Sequence, residues 1–439
     1  MPLAAEEPAP HRPRRLRRAL VATFRGIIRL YFRQIERVGE PPGPATHGRV
    51  FVSNHHNALI DPVLVLTDAE CEISPIAKST LWSIPGLKWL LDGAGAVPLY
   101  RKKDDPNRDA NANDAVFARI ADHLASGGNI LIFPEGTSHS EPQLAPLRTG
   151  AARMLVAGEA RGGALTFQAV ALEFDEREQF RSRCLVLWGP VRRLAEIPGG
   201  GEDRVRAVTA QMDADLRALL VEGATHEERT LIAHIAEMLA NDAGDASLVG
   251  WSTIGRQVEL AGKTLREADP DLVARVREKV EAYHAELARL GRTDAQIAHL
   301  VGAREAPRKS PARWLRRAAL APLAIPGFVL YGLPYFIPRL VARSGDPDSV
   351  STIKLGTALI VYPVWAATLV GLSFVLIPPP LSLVAAAIVV ASPFAALRWL
   401  DAYWYRMPDR ELSADEVAGL SRLRIAARTA IDEARSRLA

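Results

Sequence analysis

The feature that most constrains this chain is the stretch Leu355–Leu397, which contains no Asp, Glu, Lys or Arg. A helix that crosses a bilayer needs roughly 20 apolar residues, and the "IPPP" at Ile377–Pro380 interrupts the run near its middle. The length therefore predicts two spanning helices, at about 355–376 and 381–398, joined by a tight turn. Trp399, Tyr403, Trp404 and Tyr405 follow the second helix and suit an interfacial aromatic belt. Ala318–Pro338 is apolar too, but Pro322, Pro326, Pro334 and Pro338 would break its backbone hydrogen bonding. A re-entrant or interfacial segment is expected there, within a membrane region covering 311–410. The Arg308–Arg317 block and the tail bearing Arg398, Arg406 and Arg410 both read as cytoplasmic flanks, which an even number of spans satisfies. A C-terminal helix is expected over 411–439.

The beginning of the chain is basic, with Arg12, Arg14, Arg15, Arg17 and Arg18 close together. Leu20, Phe24, Ile27, Ile28, Tyr31 and Ile35 then recur at helical spacing, with Arg25, Arg29 and Arg33 between them. These arginines break what would be the apolar block of a secretory signal. The pattern predicts, within 1–37, a basic amphipathic helix lying on an anionic membrane surface. A helix docked on the domain that follows would show the same spacing. Net charge is only +4, so no commitment to nucleic acid is implied. The two cysteines, Cys71 and Cys184, lack metal-like spacing and do not suggest a disulfide framework.

From residue 38 to about 196, short apolar runs alternate with helix-like segments. "RVFVSN", "EISPIA", "GAVPLY", "NILIFPEG", "LTFQAVALEF" and "CLVLWGPV" read as buried strands, while Leu81–Asp92, Ala110–Ala125 and Gly150–Gly158 read as helices. An α/β domain with a central, largely buried sheet flanked by helices follows. Sites in such folds sit where strands end and helices begin. "IPGGGED" at Ile197–Asp203 reads as a linker, and 197–310 as a helical insert without strand signal.

Three segments at strand ends carry polar residues suited to chemistry. In "NHHNALIDP", Asn54–Pro62, the histidines fall in a strand-to-helix turn, and Asp61 before Pro62 suits a helix cap. A carboxylate there can fix an imidazole tautomer and stabilise its protonated form while the imidazole removes a proton from a hydroxyl. No residue nearby forms a nucleophile elbow, so the attacking hydroxyl belongs to the substrate. "GAVPLYR" delivers Arg101 to a strand end, where a guanidinium can grip a phosphate in bidentate fashion. In "IFPEGTS", Ile132–Ser138, Gly136 lets the backbone approach a ligand and present N–H groups to an anion, with Thr137 beside it. Glu135 can accept hydrogen bonds from a glycerol hydroxyl or hold Arg101. Each segment alone is a weak signal.

Taken together and in this order, "NHHNALIDP", "GAVPLYR" and "FPEGTSHSEPQLAPLRTGAAR" resemble the glycerolipid acyltransferase family of glycerol-3-phosphate and 1-acylglycerol-3-phosphate (lysophosphatidic acid) acyltransferases. The resemblance covers roughly Val38–Val191. It implies a PlsC-like acyltransferase domain in which a His/Asp dyad acts on the acceptor hydroxyl and Arg101, Glu135 and Gly136 bind the acceptor. Lys78 in "AKSTLWSIPG" matches a lysine frequent in the family and adds positive charge near the phosphate or the donor. The family's first motif has four residues between His and Asp, which selects His56. It also has an Asn directly before the His, which selects His55, and longer-gapped relatives favour that choice. The fourth block departs from the family's Pro-Val pair, reading Gln168-Ala169-Val170-Ala171, so chain-length preference is not inferred.

The expectation is thus a membrane-bound O-acyltransferase of phosphatidate synthesis, moving an acyl group from acyl-CoA or acyl carrier protein, without a cofactor, to a glycerol-phosphate hydroxyl. Its partners are membrane lipids, the thioester donor and the glycerol-phosphate acceptor. The expected location is the inner or cytoplasmic membrane, with the catalytic domain on the cytoplasmic side. Other readings are a lysophospholipid remodelling enzyme, a catalytically silent membrane adaptor of the same fold, and a metal-dependent hydrolase using His55, His56 and Asp61. No further His/Asp/Glu cluster with ligand spacing completes the last of these.

Overall fold

The computed structural model of the chain describes residues 14–41, 43, 47–84, 86–100, 113–300, 311–346, 349–403 and 412–438. It divides into two compact units, Met1–Glu222 and Gly223–Ala439. The first unit runs α1 (Arg14–Tyr31), β1 (Gln34–Val38), β2 (Arg49–Ser53), α2 (Ile60–Asp68), β3 (Ser74–Lys78), a short turn of 3₁₀ helix (Ser79–Ser83), α3 (Leu87–Ala94), β4 (Val97–Leu99), α4 (Asp114–Ala125), β5 (Asn129–Ile132), α5 (Gly150–Glu159), β6 (Thr166–Phe174), β7 (Arg183–Arg193) and α6 (Gly201–Arg217).

Among the described residues the seven strands make one mixed sheet in the order β1-β7-β6-β2-β5-β3-β4. Only β6 and β7 pair antiparallel. The strands β6, β2, β5, β3 and β4 are mutually parallel, so their carboxyl ends share one edge of the sheet. Arg49–Val52 of β2 lie between Asn129–Ile132 of β5 and Thr166–Ala169 of β6. Phe51, Leu131 and Val170 are fully buried, as continuous apolar runs must be where helices cover both faces of a sheet. The six strands expected from apolar runs are all present. The seventh, β1, has the sequence QIERV and is half exposed, so its alternating charged residues carry no buried-strand signal.

α1 packs against α2 and α3. Its Ile28 and Tyr31 are buried, whereas Arg15, Arg18 and Arg29 are exposed on the other face. Arg25 Nε donates to the Thr67 carbonyl at 2.8 Å, and Arg17 donates to that of Ile73. The apolar face of this helix thus docks on the domain. The far end of α2 is held by Asp68, which accepts from Trp188 Nε1 at 2.8 Å and from Arg37 Nε at 2.9 Å.

The second unit contains α7 (His226–Asp242), α8 (Leu248–Ala268), α9 (Pro270–Arg289), α10 (Asp294–Leu300), α11 (Pro311–Val341), α12 (Val350–Leu376), α13 (Leu381–Tyr403) and α14 (Ala414–Leu438). The helical residues after the sheet are not one insert: α6 packs on α5 and β6, while α7 to α10 share a core with the distant α14. Met238, Leu272, Val280, Tyr283, Leu420 and Ala427 lie in that core. At its centre Asp294 accepts from Arg424 Nε at 2.8 Å, Tyr283 OH at 2.7 Å and Asn241 Nδ2 at 2.9 Å. Burial alone would raise this carboxyl, but these donors hold it below the ordinary carboxylate range.

Among the described residues three helices, Ala318–Ser344, Val350–Leu376 and Leu381–Asp401, are long and apolar enough to cross a membrane. The proline-rich segment, whose prolines were expected to break its backbone hydrogen bonding, forms part of a continuous helix that includes Pro322, Pro326, Pro334 and Pro338. The reason is visible in its partners. Pro334 has no N–H to give the Leu330 carbonyl, and Trp365 Nε1 of α12 donates to that oxygen at 2.8 Å. Likewise Pro393 leaves the Val389 carbonyl of α13 without its usual donor, and Tyr331 OH of α11 supplies one at 3.0 Å. Neighbouring helices thus satisfy what Pro334 and Pro393 remove.

Candidate active site

β2 ends at Ser53 and the chain turns through Asn54–Asn57 before entering α2. Asn54 is buried and fixes the turn to β6, its Nδ2 donating to the Leu172 carbonyl at 3.0 Å and its Oδ1 accepting from Leu172 N at 2.8 Å. Asp61 is fully buried. It is not the helix cap expected from Pro62, because α2 starts at Ile60 and Asp61 lies in its first turn. From there the carboxylate reaches back to the turn. Oδ2 accepts from His56 N at 2.7 Å, Asn57 N at 2.6 Å and His55 Nδ1 at 3.0 Å. A carboxylate beside a helix start is also favoured by the helix dipole.

These contacts separate the two histidines. An ionised carboxylate only accepts, so the proton of the neutral His55 ring sits on Nδ1 and Nε2 keeps its lone pair. The His55 side chain is 15% exposed, and its ring stacks on Phe133 at 4.1 Å between centroids. His56 meets Asp61 through its backbone N–H. Its own Nδ1 donates to the His139 carbonyl at 3.2 Å.

The next strand in the sheet, β5, brings the Pro134–Gly136 turn alongside. Glu135 is 4% exposed, and both its oxygens are taken within the chain. Oε1 accepts from His55 N at 2.8 Å, and Oε2 from Ala145 N at 2.9 Å and from His139 Nε2. Glu141 N donates to His139 Nδ1 at 3.2 Å, which leaves the His139 proton on Nε2. His139 N also donates to the His55 carbonyl at 3.1 Å. Glu135 therefore braces the histidine turn rather than facing outward for a hydroxyl. The Gly136 N–H closes its own turn on the Phe133 carbonyl at 3.1 Å, so it is not presented to an anion. Its φ of +78° and the Arg148 side chain lying across it account for the glycine.

The structure thus brings His55, His56, Asp61, Glu135 and Gly136 together at the carboxyl ends of β2 and β5. Thr137 is exposed beside them, with its hydroxyl donating to the Ser138 carbonyl at 3.3 Å. Lys78 stands exposed at the end of β3, the strand beyond β5, apart from the histidine turn. Arg101 lies outside the described residues. Sequence reasoning missed Asn54 as an anchor, Phe133 as the surface under His55, and His139 and Arg148 as neighbours of the turn. The His four residues after Glu135 was the available signal. Among the described residues no group of three or more His, Cys, Asp or Glu is placed to hold a metal ion.

Comparison with known proteins agrees with this geometry in location. Residues 31–170, which include the whole turn and the Glu135 segment, match the family model described as Acyltransferase. The chain is 26% identical over 280 residues to glycerol-3-phosphate O-acyltransferase 2 of Saccharomyces cerevisiae, covering 58% of this chain and 37% of that protein. It is 29% identical over 102 residues to the chloroplastic 1-acyl-sn-glycerol-3-phosphate acyltransferase BAT2 of Brassica napus, covering 23% of this chain and 27% of that protein. The chain therefore spans well under half the length of these curated relatives. A solved structure, the 1-acyl-sn-glycerophosphate (LPA) acyltransferase PlsC from Thermotoga maritima, matches at 16% identity and a TM-score of 0.34, over 47% of this chain and 81% of that one.

Proposed function

With residues 31–170 forming a domain of the acyltransferase family, we propose that this protein is a membrane-bound O-acyltransferase that moves a fatty acyl group from a thioester to a hydroxyl of a glycerol phosphate. The observation that carries the reading is the His55–Asp61 pair, with Nδ1 committed to a buried carboxylate at 3.0 Å and Nε2 left to act as base. His55 Nε2 takes the proton of the acceptor hydroxyl as its oxygen attacks the thioester carbonyl. The tetrahedral intermediate collapses with the new C–O bond formed and the C–S bond broken, and the imidazolium returns its proton to the leaving thiolate. Asp61 stabilises the imidazolium without taking its proton. General-base assistance of this kind is worth roughly 10²–10⁴-fold.

The names of the relatives support a glycerol-phosphate acceptor, either glycerol 3-phosphate or its 1-acyl derivative. The apolar helices support membrane attachment, and acyl products partition into lipid. Detergent-solubilised protein should be assayed with both acceptors crossed against acyl-CoA and acyl carrier protein donors. The reading expects ester formation in at least one combination, insensitive to chelators. Absence of transfer in all four would sink it.

A further inference from the structure

A phosphate on the acceptor calls for a cation at the carboxyl edge of the sheet, and Arg148 is placed there by the fold. Its backbone N–H donates to the Pro134 carbonyl at 2.9 Å, which ties it to the turn that carries Glu135. Its side chain lies flat across Gly136. A Cβ at that glycine would come within 2.7 Å of Arg148 Nε and 3.0 Å of Cδ and Cζ. One residue away, Glu135 Oε1 holds the His55 backbone at 2.8 Å. The guanidinium therefore lies against the turn beside Glu135, the residue that braces the histidines, with its outer side open to solvent.

Its lack of a partner sets it apart from other arginines of the same unit. Arg153 pairs with Glu202 at 2.6 Å, Arg217 with Glu222 at 2.9 Å, and Arg177 donates to Ser140 Oγ at 2.5 Å. Arg148 is exposed, and among the described residues its guanidinium has no hydrogen-bond or ion-pair partner. A planar donor fork held against a glycine and left without a counter-charge is preorganised for a bidentate oxyanion.

Resting on the acyltransferase reading above, we infer that Arg148 binds the phosphomonoester of the acceptor and sets the preference for phosphorylated over unphosphorylated glycerol acceptors. It is an acceptor-binding residue and takes no part in proton transfer.

The test uses the full chain in detergent, with glycerol 3-phosphate and 1-acylglycerol 3-phosphate as acceptors and glycerol and 1-acylglycerol as their phosphate-free counterparts. Arg148→Met should raise KM for the phosphorylated acceptor about 10- to 100-fold, as expected for loss of charge-assisted hydrogen bonds. Its kcat should stay within about twofold, and discrimination against the phosphate-free acceptor should collapse. Arg148→Lys should recover part of the loss. An unchanged KM ratio in a variant with wild-type melting behaviour, or a fall in kcat alone, overturns the assignment.

Wild-type protein supplies a second measurement that does not depend on the variants folding. Phenylglyoxal labelling mapped by mass spectrometry should modify Arg148, and the phosphorylated acceptors should slow it while glycerol and 1-acylglycerol do not. Equal labelling with and without the phosphate also overturns the assignment. If His55→Ala keeps full activity while Arg148 behaves as stated, the dyad reading fails and this one stands.

Discussion

Asp61 shows how one buried side chain can organise a site. Three donors converge on its Oδ2, two from the backbone of the turn and one from the His55 ring. Asp61→Asn keeps the shape but places an amide that cannot accept from all of them. We expect kcat to fall by about 10²- to 10⁴-fold, with a loss of about 1–3 kcal/mol in unfolding free energy from unsatisfied donors. Unchanged kcat in a folded variant would count against its role. The residue types at this site were legible in the sequence, since His, Asp, Glu and Gly fall at strand ends in a recognisable order. The choice between His55 and His56 was not. Adjacent residues in a turn point in different directions, and which ring meets Asp61 depends on backbone torsions that spacing does not encode. The same limit hid His139, whose contacts to Glu135 and to both histidines arise only when β5 lies beside β2. Arg148 was hidden because it reaches Gly136 from twelve positions along the chain.

At the scale of elements, apolar runs identified every strand except β1, whose exposed alternating residues resemble those of the preceding helix. Pro334 in α11 misled because the carbonyl it orphans is taken by Trp365 on α12, which a local reading cannot see. This compensation can be measured. Trp365→Phe should destabilise the protein by about 0.5–1.5 kcal/mol through the orphaned Leu330 carbonyl. In a Pro334→Ala background, where the substituted residue supplies its own N–H, most of that cost should vanish; additive effects in the double-mutant cycle would refute the pairing. A second element-scale device joins α7 to α9. The rings of His234 and His284 stack at 3.6 Å. Burial, with the neighbouring His234, pushes His284 down to about 4, against the opposing pull of Asp294, and burial also lowers His234. Because the folded values lie below the unfolded value, both rings are neutral and the bundle fully stable above about pH 6.5. Stability should fall as pH drops from there towards 4, by on the order of 3 kcal/mol for the His284 shift. Thermal melts of His284→Leu should show a shallower slope across that window; an unaltered slope contradicts the assignment.

At the scale of the whole molecule, the helical bundle constrains the membrane topology proposed for this protein. α10 precedes the three apolar helices and α14 follows them, yet Ile297 and Leu420 share one core and Arg424 pairs with Asp294 inside it. In the membrane-bound protein proposed above, a charged bundle of this kind would lie on one side of the bilayer, so the chain between its halves would cross an even number of times. Among the described residues three helices are apolar enough, so on the membrane-bound reading proposed above at least one of them does not cross. We expect that to be α11, the least apolar of the three, which carries Arg339 in its last turn. Single cysteines at Ala285, Asp346 and Arg437, in a background lacking Cys71 and Cys184, should react with an impermeant maleimide from one face of sealed vesicles. A cysteine at Pro378, in the turn between α12 and α13, should react only from the other. Labelling of positions 285 and 437 from opposite faces would contradict the shared core.

The central claim is that His55, and not its neighbour, is the base. Initial rates of acyl transfer should be compared for wild type, His55→Ala and His56→Ala at saturating acceptor, each variant checked for an intact fold. The account predicts that His55→Ala loses at least about 10²-fold in kcat, while His56→Ala, whose ring donates to the His139 carbonyl in the wild type, keeps most of it. Retained activity in a folded His55→Ala variant would contradict it.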